Sequence, residues 1–174
     1  MTKITRYISP IGELTLSADP AGKKLAGLWI EGQQRFGSTL EAETEPCPEL
    51  PIFRQAGEWL DRYFAGDRPG AEELPLSPVG SDFCWMVWEL LQRIPYGEVR
   101  TYGELAKEAA RRLGRERMSA QAIGGAVGRN PISIVIPCHR VIGANGSLTG
   151  YAAGLPRKRF LLKLESSGGL CVKG

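Results

Sequence analysis

The stretch GAEELPLSPVGS, residues 70–81, constrains this chain more than any other. Glycine and proline interrupt it so often that neither a long helix nor a central strand can run through it. The 174-residue chain is therefore read as two parts that meet near residue 80. The parts differ in charge. Residues 1–81 carry eight Lys/Arg against twelve Asp/Glu, and residues 82–174 carry fourteen against seven. A basic second part fits a polyanionic partner, although a solvated basic surface has the same composition. No apolar run reaches the roughly 18 residues of a membrane span, and MTKITRYISPIGELTL has no signal-peptide core. A cytoplasmic protein is expected.

Periodicity separates the parts as well. KITRYI, ELTLSA and KLAGLWIE read as short strands divided by SPIG and DPAGK turns. The acidic residues 38–49 read as a loop. PIFRQAGEWLDRYFAGD reads as an amphipathic helix with Pro51 at its start, Gly66 at its end, and Phe53, Gly57, Leu60 and Phe64 near one face. After residue 80 the pattern is helical. Asp82 is placed as the cap of a helix carrying Phe83, Val87, Leu90, Leu91 and Ile94. PYGEVR is a turn with a short extended piece. Thr101 and Glu104 have capping-box spacing, with Leu105, Ala109 and Leu113 inward behind them and Gly114 closing that helix.

Ser119 starts another short helix, which Asn130-Pro131 stops. The two helices and their short turn have the outline of a helix-turn-helix. The second is lined by Ala120, Ala122, Gly124, Gly125, Ala126 and Gly128. Each glycine inside a helix costs up to about 1 kcal/mol relative to alanine. Either another backbone, of DNA or protein, approaches closely, or the helix packs tightly within its own domain. ISIVI, residues 132–136, reads as a buried strand or core run. VIGANGSLTGYAAGLP is a loop, PRKRFLLKLE the last helix, and residues 166–174 a loose tail.

The chemistry gathers where the apolar run ends. PCHRV, residues 137–141, places the only histidine of the chain, His139, directly after Cys138. Cys47, Cys84 and Cys171 form no CxxC pair and have no supporting motif, so a reduced setting fits and a zinc site is not supported. A cysteine attacks as its thiolate; a histidine can take the proton, and a carboxylate can orient the imidazole. Neighbours in extended chain point opposite ways, so contact between them needs a turn, a helical start or a water relay. The alternative is an inert buried cysteine beside a half-exposed histidine.

The longer string GRNPISIVIPCHRVIGANGSLTGYAAGLPRKRFLLKLE resembles the O6-alkylguanine-DNA alkyltransferases, also called methylated-DNA–protein-cysteine methyltransferases. PYGEVRTYGELA and AIGGAVGRNP extend the resemblance upstream, so that it covers residues 82–165; ISPIGELTLSA and GLWIEGQ match in outline. The resemblance implies an α+β fold. Residues 1–80 would form an α/β, ribonuclease H-like domain with a small antiparallel sheet and a helix. Residues 81–174 would form a mostly helical, winged helix-turn-helix-like domain that binds DNA and accepts the alkyl group.

It also implies a mechanism. A monomer enters the minor groove of double-stranded DNA and swings the O6-alkylguanine into a pocket, because its alkyl carbon is out of reach within the duplex. Cys138 takes the alkyl group, O4-alkylthymine being a further possible donor. His139 removes the thiol proton through a water, Glu165 orients His139, Tyr102 donates to the departing base, and Asn130 braces the turn. Val141, Ala152 and Ala153 belong to the base pocket, with Tyr151 as one wall. Thr101, Ala120, Gln121, Gly124, Gly125, Arg129 and Arg140 fall on the DNA-binding surface. The thioether is permanent, and no metal or organic cofactor is implied.

Read without the resemblance, Tyr102 is a packed helix-start tyrosine and Glu165 a solvated helix-end charge. Arg140 is a phosphate contact or a structural ion pair. Arg111, Arg112, Arg115 and Arg117 coat a turn or touch phosphates. Two positions depart from the family pattern. Gln121 stands where an arginine commonly fills the gap left by the base, and Ala152-Ala153 where a serine and glycine are common. Ala153 adds a methyl that would narrow the pocket against bulky adducts. The competing functions are a sensor that binds alkylated DNA without transfer, a Cys-His-Glu thiol hydrolase, and a winged-helix regulator with a structural Cys138.

Overall fold

The computed structural model describes residues 1–166. The expected tail, with Cys171, falls outside them apart from Ser166. The fold is α+β, with five α-helices among the described residues. The chain divides into two compact units: Met1–Val79 with Pro131–Val135, and Gly80–Asn130 with the residues from Ile136 onward.

In the first unit, β1 (Thr2–Ser9), β2 (Gly12–Ala18), β3 (Leu25–Ile30) and β4 (Thr44–Pro46) form a sheet in the order β3-β2-β1-β4. β2 pairs antiparallel with both neighbours, and its alternation of Leu14 and Leu16 puts both leucines in the core. The sheet is not wholly antiparallel, as the sequence suggested: β4 pairs parallel with β1, Thr44 opposite Thr2. β4 lies inside the acidic segment read as a loop. All three of its residues are exposed, so no apolar alternation announces it.

Helix α1 (Pro51–Phe64) buries Ile52, Phe53, Ala56, Trp59, Leu60 and Tyr63. This face is rotated from the expected one. Gly57 and Phe64 lie at its margin, because Trp59 and Tyr63 stack at 5.5 Å and carry much of the burial. Pro131–Val135 adds to β3 by a single bridge, Leu28 opposite Ile132, with Leu28 N–H donating to Pro131 O and Ser133 N–H to Leu28 O. The ISIVI run is thus core, as read, but not a strand. It turns at Ile134, whose φ of 71° is left-handed. That conformation costs a β-branched residue about 1–2 kcal/mol.

In the second unit, α2 (Asp82–Gln92) is capped by Ser81, not by Asp82. Ser81 is the residue with extended backbone, and its Oγ accepts from Cys84 N–H at 3.2 Å; Asp82 is the first helical residue. Phe83 is only half-buried, whereas Trp88 is enclosed and donates its Nε1–H to Ala126 O at 2.9 Å.

β5 (Arg100–Thr101) pairs parallel with β6 (Val141–Ile142) and leads into α3 (Tyr102–Leu113). The capping box forms as read: Thr101 Oγ1 accepts from Glu104 N–H, and Glu104 Oε2 from Thr101 N–H. α3 ends on left-handed Gly114, at φ 65°. Leu113, expected inward, is 45% exposed; Ala106 and Ala110 complete the buried face instead. α4 (Ala120–Gly128) starts on Ser119 and packs against α2 and α3. α5 (Leu155–Glu165) follows the long loop. None of the described helices is long and apolar enough to cross a membrane.

The Ser81 cap satisfies an N–H that α2 cannot satisfy itself. Ser81→Ala is expected to lower the urea unfolding free energy by about 1 kcal/mol, with Asp82→Ala costing less.

Candidate active site

The reactive sequence sits in tight consecutive turns. Cys138 N–H donates to Ile136 O at 2.8 Å, Arg140 N–H to Pro137 O at 3.0 Å, and Cys138–Arg140 forms one 3-10 turn. Asn130, just past α4, donates from Nδ2 to Ile136 O at 2.8 Å. It thereby fixes the carbonyl before Pro137. The adjacent Cys138 and His139 are thus brought onto a helical start rather than an extended strand.

Cys138 is 7% exposed. Burial pushes its thiol above the ordinary cysteine value; a hydrogen bond from Asn130, the charge of Lys158 and nearby backbone N–H groups pull the other way without prevailing. At neutral pH it is a thiol, so it needs a base. His139 is fully buried, with Nε2 2.5 Å from Glu165 Oε2. Burial holds His139 below the ordinary imidazole value, and Glu165 opposes that shift without cancelling it. Burial alone would raise Glu165, but His139 and Arg140 outweigh it, and the carboxylate lies well below its ordinary range. An ionised Glu165 beside a neutral imidazole assigns the proton to Nε2 and leaves Nδ1 as the basic nitrogen.

Arg140 completes the group. Its Nε donates to Glu165 Oε1 at 2.7 Å, Nη2 to Oε2 at 3.2 Å and Nη1 to Ile94 O at 2.6 Å. It is 7% exposed, with its guanidinium over the Tyr96 ring. Of the two readings left open for Arg140, the structural ion pair is the one the geometry forms. Its place among DNA contacts is withdrawn, because its donors face the interior.

The residues expected in a base pocket differ in exposure. Val141 is fully buried in β6, and Ala153 is buried while Ala152 is half-buried. The Tyr151 ring meets His139 edge-on at 6.5 Å; its hydroxyl is buried and has no hydrogen-bond partner among the described residues. Tyr102 Oη–H donates to Thr149 O at 3.3 Å, and burial raises its pKa. On α4, Ala120, Gln121, Gly125 and Gly128 are exposed and Gly124 is half-buried; Arg129, just past its end, is exposed. Thr101 is occupied in capping α3. Arg111 pairs with Glu108 and Arg112 with Glu89 on the surface, whereas Arg115 and Arg117 are exposed beyond α3.

One residue escaped the sequence reading. Lys158 of α5 is fully buried, and its ammonium reaches Val141 O at 2.6 Å, Thr149 O at 3.2 Å and Gly150 O at 3.1 Å. Its signal was spacing: Lys158, Leu161, Leu162 and Glu165 share the buried face of α5.

A buried cysteine followed by a carboxylate-held histidine, on a domain with a small-residue helix-turn-helix, defines a thiol-chemistry protein of the DNA-binding class. The comparisons narrow that class. Residues 82–167 match the family model described as 6-O-methylguanine DNA methyltransferase, DNA binding domain. A methylated-DNA–protein-cysteine methyltransferase of Methanosarcina acetivorans is 45% identical over 92% of this chain and 96% of its own. A Mycobacterium tuberculosis protein of the same name is 45% identical over 91% of this chain and 89% of its own. The crystal structure of Mycobacterium tuberculosis OGT in complex with DNA superposes with a TM-score of 0.81 at 42% identity, covering 95% of this chain and 93% of that one. This chain belongs to the methylated-DNA–protein-cysteine methyltransferase family.

His139 gives the site a pH signature. As pH falls, the unfolded chain takes up a proton on this histidine before the folded chain does, so stability falls below the ordinary imidazole value. His139 is the only histidine of the chain. Denaturant unfolding should show a loss of stability from about pH 7.5 to about pH 5.5, and His139→Gln should remove most of that slope.

Proposed function

We propose that this protein repairs DNA by moving an alkyl group from O6-alkylguanine to Sγ of Cys138, once per molecule. The observation that carries the reading is the 2.5 Å contact between His139 Nε2 and Glu165, which leaves Nδ1 as the base for a buried thiol. A water passes the Cys138 proton to Nδ1, and Glu165 stabilises the imidazolium. The thiolate attacks the alkyl carbon, a C–S bond forms, and the C–O bond breaks toward the ring. Tyr102, released from Thr149, donates a proton to the departing guanine. Asn130 holds the turn through Ile136 O.

The base reaches the thiol by leaving the duplex, since the alkyl carbon cannot be attacked within the stack. α4 enters the minor groove on its small face, with Ala120, Gly124 and Gly125 toward the backbone, Thr101 at the start of α3, and Arg129 near phosphates. Gln121 occupies the gap. The Ala152 N–H and the carbonyls near Cys138 and Val141 read the base edge, Tyr151 forms a wall, and Ala153 limits bulky adducts. The protein acts as a cytoplasmic monomer, with residues 1–80 and 81–174 as its domains except that Pro131–Val135 belongs with the first. A methyl group is the chief cargo, and O4-methylthymine is a further donor.

Intact-mass and peptide analysis after mixing with a duplex holding one O6-methylguanine tests this directly. The peptide bearing Cys138 should gain one CH2, saturating at one per molecule, and Cys138→Ser should gain none. Turnover beyond one equivalent would indicate a hydrolase, and DNA binding without mass gain a sensor. A second measurement addresses Gln121, which lacks charge and reach. Gln121→Arg is expected to speed transfer from duplex DNA severalfold while leaving transfer from the free base O6-methylguanine unchanged.

A further inference from the structure

Lys158 plays no part in the reaction just described, yet its burial is complete. An ammonium has three protons, and Lys158 Nζ meets three carbonyls, those of Val141, Thr149 and Gly150. These are backbone dipoles rather than a carboxylate. Desolvation accordingly draws its pKa down to about 8, against a small opposing pull from Cys138. A methionine would fill the same space without that penalty, so the charge has a use beyond packing.

The three carbonyls lie at informative places. Val141 follows the Cys138–Arg140 turn directly, and Thr149 and Gly150 precede Tyr151 and Ala152. One cation thus ties the strand after the nucleophile to the loop that carries the base-reading backbone. Thr149 O is also the acceptor of the Tyr102 hydroxyl, at 3.3 Å. If Tyr102 turns to a base, Thr149 O loses one donor and keeps Lys158.

We infer that Lys158 is a positioning residue for alkyl transfer, whose ammonium clamps the Thr149–Gly150 loop to Val141 so that the pocket stays in register with Cys138 when Tyr102 leaves Thr149. The inference rests on the proposed transfer reaction. Its secondary effect is electrostatic: the charge of Lys158 favours the Cys138 thiolate and disfavours the His139 imidazolium. Cys138 and His139 are the titratable groups that feel it, with Tyr102 sharing its acceptor.

The test measures single-turnover transfer from a duplex containing O6-methylguanine for the wild type, Lys158→Met and Lys158→Arg, with duplex affinity measured in parallel. Lys158→Met should slow transfer at least tenfold with affinity within twofold of wild type, because Lys158 is buried away from solvent. Lys158→Arg should recover part of the rate. Equal rates in folded wild type and Lys158→Met would overturn the inference. If Lys158→Met does not fold, the wild type decides. Its transfer rate should fall as pH rises above about 8, where the ammonium loses its proton, although thiolate formation alone would raise it. A rate that climbs through that range at constant DNA affinity would overturn the clamp. A wild type that transfers nothing would instead defeat the transfer reading itself.

Discussion

The second unit depends on one buried carboxylate. Glu165 accepts from an imidazole on one oxygen and from a guanidinium on both. A lone carboxylate at 1% exposure would be protonated or displaced; with two cationic or dipolar donors it stays ionised. The consequences reach three segments. Arg140 extends from Glu165 to Ile94 O and lies over Tyr96, which fastens the chain beyond α2. The Cys138–Arg140 turn is held from both of its later residues. α5 is fixed by its last residue. Removing one member of such a buried group leaves another charge unpaired, at roughly 3–5 kcal/mol.

The same carboxylate sets the chemistry. Because Glu165 is ionised, the proton of the neutral imidazole belongs on Nε2, and the basic nitrogen is Nδ1. The environment also keeps Cys138 a thiol at rest. Burial raises its pKa, and the Asn130 hydrogen bond and the Lys158 charge offset only part of that. For a protein that would use its nucleophile once, a resting thiol is protective, since thiols react with electrophiles far more slowly than thiolates. Activation is then coupled to a proton acceptor that the fold has already oriented.

Local signals were legible in the sequence and tertiary ones were not. The Thr101–Glu104 box, the Ser119 cap and the Gly114 stop act over a few residues, and all three formed as their spacing indicates. Asp82 and Ser81 are both good caps, and only backbone conformation chose between them. Leu113 carries an apolar side chain at helical spacing, but its turn of α3 faces solvent. β4 had no signal because its pairing is made by backbone alone. At the site, Cys138 and His139 were visible as neighbours. Glu165 was ambiguous as a helix-end charge, and its role emerged from a partner twenty-six residues away. Lys158 was hidden by its basic surroundings, PRKRF, where a lysine reads as solvated surface.

The small residues of α4 remain to be accounted for, and the fold narrows the choice. A Cβ built at Gly128 meets nothing within 4 Å. One at Gly125 meets only the guanidinium end of Arg129, at 3.2 Å, and one at Gly124 makes ordinary contact with Tyr102 at 3.8 Å. Alanine therefore fits at Gly128 and Gly124, and at Gly125 needs only a flexible side chain to move. Packing inside the domain does not require these glycines, although each weakens the helix by up to about 1 kcal/mol. Room for a demand from outside the fold lies on the face that Gly125 and Gly128 expose. A surface that gives up helix stability to stay flat suits a partner whose own backbone comes close. The minor-groove approach proposed above would make such a demand, since a groove about 6 Å wide between charged walls leaves little room for side chains larger than these.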